Sequence, residues 1–124
     1  MKSQNLSDEA LDFIRSILRA GRKRCNRAII DVCTFADYNT NKPFYAIYYG
    51  RCLDPKIYIK IAVSSKLTKT EFSDLLEASN IQLSPRFSIT NHYVWKYWDN
   101  TDVNKLDLAD LNAYLEENGC AHIE

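Results

Sequence analysis

IQLSPRFSITNHYVWKYW, residues 81–98, is the stretch on which the reading of the fold turns. From Phe87 onward it alternates. Phe87, Ile89, Tyr93, Trp95 and Tyr97 fall at one parity, and Ser88, Thr90, His92 and Lys96 at the other. Successive side chains of a strand point to opposite faces, so a period of two in aromatic and β-branched residues predicts a strand buried on one side. Parity puts Trp95 in the core and His92 and Lys96 outside it.

Three upstream segments read the same way. Residues 27–36 (RAIIDVCTFA), 44–50 (FYAIYYG) and 57–63 (IYIKIAV) are short and rich in β-formers. The turn chemistry of DYNTNKP and RCLDPK separates them. In the third segment Ile57, Ile59, Ile61 and Val63 share one face, and Tyr58 and Lys60 the other. Connections this short favour antiparallel neighbours, since parallel strands need long crossovers.

Helices are predicted elsewhere. Residues 7–20 open on Ser7 with Asp8 and Glu9 behind it, repeat Leu11, Ile14 and Leu18 at helical spacing, and meet Gly21 as a stop. Thr68 and Glu71 form a T-x-x-E capping box, with Leu67 and Phe72 at the two staple positions. A last helix begins near Asp107, carries Leu108, Leu111 and Leu115, and ends at Gly119. The order is α-β-β-β-α-β-α. It predicts an α+β fold, one globular domain over residues 1–124, with a four-stranded, mainly antiparallel sheet and helices mostly on one face.

The 124 residues include 46% hydrophobic and 26% charged side chains and few glycines or prolines, a composition that suits a packed core. Net charge is zero, but it is unevenly placed. Residues 15–27 hold six basic side chains and no acid; from Asp99 onward there are seven acids and only Lys105. Four cysteines (Cys25, Cys33, Cys52, Cys120) show no C-x-x-C pair, and no apolar run approaches membrane-spanning length. A cytoplasmic protein with reduced thiols, no membrane contact, no cofactor and no metal is the expectation.

The element order is similar to the core order of PD-(D/E)xK nuclease-like folds. That resemblance implies an acid-x-lysine pair for metal-dependent attack, and here Tyr58 stands two residues before Lys60, where the acid is required. Asp31 and His92 read as solvated side chains rather than catalysts, no cysteine has a nucleophile's surroundings, and the isolated glycines form no phosphate loop. No catalytic residues are therefore expected, and enzyme action is the third reading. The first is a small non-enzymatic protein-binding module, such as an inhibitor or immunity-type modulator, because aromatic anchors dominate protein interfaces. Its expected surface is an outward sheet face bearing Tyr58, Lys60, His92 and Lys96. The second is a nucleic-acid-binding module in which Arg15, Arg19, Arg22 and Lys23 track phosphates.

Overall fold

A computed structural model describes residues 6–124 and shows, among them, seven α-helices and no strand. They are α1 (Asp8–Cys25), α2 (Ile29–Phe35), α3 (Lys42–Tyr48), α4 (Pro55–Ser64), α5 (Lys69–Ala78), α6 (Ile89–Asp99) and α7 (Leu108–Glu117), with a 3-10 turn at Val103–Lys105 before the last. The expected four-stranded sheet is thus overturned, and with it the α+β class and the nuclease-like order. All four segments read as strands are helices.

The reason is clearest in α4. Every residue from Tyr58 to Ser65 is buried, Lys60 included. A helix surrounded on all sides has no polar face, so it shows no 3.6-residue period. The alternating isoleucines that suggested a strand belong to a stretch buried on every side, with Lys60, Ser64 and Ser65 buried among them. Its start was marked all the same: Asp54 accepts a hydrogen bond from Lys56 N at 3.0 Å, and Pro55 takes the first position, where a missing N–H costs nothing.

α2 and α3 have seven residues each, and neither N-cap side chain makes a capping bond. Over two turns an i, i+3, i+4 stripe and an alternating one share most positions. The residues that α2 buries, Val32 and Cys33, with Ala36 just beyond it, are at helical spacing. α6 is capped by Ser88, which accepts from Asn91 N at 3.0 Å, and it buries Val94, Tyr97 and Trp98, a set that crosses the supposed parity.

α4 packs against α2, α3 and α7; α1 lies along α3 and α5; α6 joins α5 to α7. One hydrophobic core draws on every helix. α1 does not stop at Gly21 but runs on to Cys25, with Asn26 in the left-handed region at φ 53° as its cap. Gly21 is needed for a different reason: a Cβ there would stand 2.5 Å from Leu67 Cδ2 and 2.8 Å from the Ser65 carbonyl. The basic link that follows closes α4's end, with Arg27 donating to Ser64 O at 2.7 Å and Arg24 to Lys66 O at 2.6 Å. α5 carries its capping box as the sequence predicts, and the staple residues Leu67 and Phe72 are both fully buried.

Candidate functional site

The predicted sheet-face residues are parted by the helical fold. Tyr58 is fully buried, and its hydroxyl donates to Cys52 O at 2.7 Å. Burial pushes its phenol up to about 12. Lys60 is only 4% exposed, with Nζ 4.2 Å from the centre of the Tyr38 ring. Neither can meet a partner on this surface. His92 and Lys96 are exposed, one helical turn apart on α6.

α6 brings two further side chains to them. Ile89, three residues before His92, is 64% exposed, and Phe87, just before the helix, is 77% exposed. Parity assigned both to the core. The capping geometry shows why they are outside. At α5 the residue before the cap, Leu67, packs against Phe72 at the fourth helical position. At α6 the equivalent pair is Phe87 and His92, so Phe87 has no apolar staple partner in its own helix. That spacing is visible in the sequence once Ser88 is recognised as an N-cap.

The exposure does not come from a loose segment. Trp95 Nε1 donates to Leu83 O at 2.6 Å, Asn91 Nδ2 to Ser84 O at 3.1 Å, and Phe87 N to Ser84 O at 3.2 Å. Leu83 is itself buried. The turn presenting Phe87 is therefore pinned to α6 at several points. Beside it, Lys69, Ser73, Pro85, His92, Trp95 and Lys96 line a cleft of about 470 Å³ between α5 and α6, closed at one end by the Lys69–Asp99 ion pair of 2.6 Å.

The predicted basic set stays together. Arg15, Arg19, Arg22 and Lys23 follow one side of α1, with Arg19 and Lys23 exposed and Arg15 and Arg22 half-buried. α3 sets Tyr45, Tyr48 and Tyr49 opposite them across a cleft of about 310 Å³. Sequence reading found the cations but not the facing tyrosines, which it placed on a strand.

Among the described residues no group of three or more His, Cys, Asp or Glu side chains is placed to hold a metal, there is no disulfide, and no helix is long and apolar enough to cross a membrane. Asp31 is exposed in the first turn of α2. Burial raises the Cys33 thiol and takes Cys52 to about 11, the opposite of what a nucleophile requires. No protein-family model, curated protein or solved structure matches this chain.

Proposed function

We propose that the protein is a small, non-enzymatic module that binds another protein through the outer stripe of α6 and the turn before it, as an inhibitor or immunity-type modulator does. One observation carries the reading: Phe87 and Ile89, the two most exposed large hydrophobic side chains described, stand on a hydrogen-bonded turn beside His92 and Lys96. Single exposed apolar residues are ordinary, but two adjacent ones held in place at one helix end form a recognisable anchor. Such an anchor loses little conformational freedom on binding. Arg86 and Lys96 give it a basic rim, so the complementary surface is an apolar socket flanked by carboxylates.

The test is affinity capture from the native host cells with the wild-type chain and with Phe87→Ser, Ile89→Ser and Lys96→Glu variants, followed by a binding constant for the purified partner. The variants should lose about tenfold or more in affinity, with melting temperatures unchanged. Equal affinity of all three variants for the same partner would overturn the proposal. Self-association abolished by Phe87→Ser would also overturn it, by making the partner a second copy.

A further inference from the structure

The basic side of α1 is a second surface, independent of α6. Arg15, Arg19 and Arg22 form one wall of the α1–α3 cleft, and Tyr45, Tyr48 and Tyr49 the other. Its floor includes the buried Leu18 and Phe44. Arg19 and Arg22 also border a second basin of about 620 Å³ with Lys23, Arg27 and Asp31, so the two adjoin at the basic end of α1 as a trough in two parts. Asp31 is the only acid lining either part.

Some of these cations have structural duties. Arg15 Nε donates to Tyr48 O at 3.1 Å, with Cζ 4.5 Å from the Tyr48 ring centre, and Arg22 Nε donates to Arg27 O at 3.2 Å. Arg19 and Lys23 make no hydrogen bond or ion pair among the described residues. Four like charges on one helical face repel one another, and the side chains of Arg19 and Lys23 are exposed. An anion in the trough would remove that repulsion.

The opposite wall narrows the choice of anion. Tyr45 and Tyr49 stack with centres 6.0 Å apart and planes 21° from parallel, and they remain 37% and 49% exposed. Arg15 and Arg51 Cζ lie 5.5 and 5.6 Å from the Tyr49 centre, and partly exposed rings set among cations in this way suit a ligand with repeating phosphates and free base faces. From Arg15 to Lys23 the row extends about 12 Å along the helix, room for two or three consecutive phosphates. A duplex hides its base faces, and an acidic peptide offers carboxylates with no regular succession of flat groups. We propose that this trough binds single-stranded nucleic acid, its phosphates along α1 and a base against Tyr45 and Tyr49.

The experiment is fluorescence anisotropy with a labelled oligo(dT) of about 12 nucleotides, the matching duplex and polyglutamate as separate probes of the whole chain. Oligo(dT) should bind, and its affinity should fall roughly 7- to 20-fold between about 50 and 200 mM salt, as expected for two or three neutralised phosphates on a single strand. Arg19→Glu with Lys23→Glu should abolish binding without changing the melting temperature. Tyr49→Ala should weaken it about tenfold and leave the salt slope unchanged. No binding at the lower salt, duplex or polyglutamate binding as tightly as oligo(dT), or an unaffected double variant would each overturn the proposal. Because the α6 stripe plays no part, Phe87→Ser should bind oligo(dT) as the wild type does.

Discussion

Arg24 and Glu71, 47 residues apart, meet in a two-pronged ion pair, Nη1 to Oε1 at 2.7 Å and Nη2 to Oε2 at 2.9 Å. Glu71 Oε1 also accepts from Thr68 N at 2.9 Å, so the carboxylate that caps α5 ties that helix to the end of α1. A local capping device is thereby made into a tertiary clamp.

This clamp should show in acid. Burial alone would raise the Glu71 carboxyl, but Arg24 and the Thr68 amide outweigh it and hold it below its ordinary 4.5. A group whose pKa is depressed by folding contributes stability above its unfolded value and loses it as pH falls through the folded one. The difference in melting temperature between wild type and Glu71→Gln should be full at pH 7 and shrink below about pH 4.5. A double-mutant cycle with Arg24→Ala and Glu71→Ala should give about 1 kcal/mol of coupling, since the pair is partly exposed.

Alkali should act through the core. Burial raises Cys52 from 9.0 to about 11 and Tyr58 from 10.0 to about 12. The unfolded chain releases these protons first, so stability should decline as pH rises from about 9 and keep declining through about 12. Thermal melts at successive pH values would show this, with Cys52→Ala making the first part of the decline shallower.

The two tryptophans should differ. Trp98 is 5% exposed, stacks on Phe72 at 4.4 Å and donates Nε1 to Leu67 O at 2.9 Å, whereas Trp95 is only half-buried at the cleft. Trp98→Ala should cost about 3–5 kcal/mol in urea denaturation. Trp95→Ala should cost less, about 1–3 kcal/mol. The parity argument placed Trp95 in the core, whereas it is half-buried and packs against the core's edge.

Gly21→Ala sets helix propensity against packing. Alanine is better in a helix by up to about 1 kcal/mol. The added Cβ would meet Leu67 Cδ2 at 2.5 Å and the Ser65 backbone carbonyl at 2.8 Å, and the carbonyl has little room to yield. A net loss of about 1–3 kcal/mol is expected in urea denaturation.

Lys60→Met should leave the melting temperature equal or higher. The residue is 4% exposed, with Nζ 4.2 Å from the Tyr38 ring centre and no ion pair among the described residues, so an apolar side chain of similar volume keeps the packing of its stem. Lys60→Glu should lower it strongly, because a buried carboxylate there would have no cationic partner.

Three helices and one half of each surface were legible in the residues alone. α1, α5 and α7 each combine an N-cap side chain with a one-sided apolar stripe, and those signals depend only on neighbours within two turns. The same locality made Arg15, Arg19, Arg22 and Lys23 readable as one basic face, and His92 and Lys96 as exposed. Tertiary structure decided the rest. α4 is enclosed on every side, so its sequence reflects its surroundings and carries no helical period of its own. α2 and α3 are too short for periodicity to separate helix from strand, and neither N-cap residue makes a side-chain capping bond. Tyr58 and Lys60 went to the core, and Tyr45, Tyr48 and Tyr49 came to face the arginines, because helices turn about 100° per residue where strands turn 180°. Once that rotation is fixed, Tyr58 and Lys60 turn inward and Phe87 and Ile89 outward, while His92 and Lys96 stay outside.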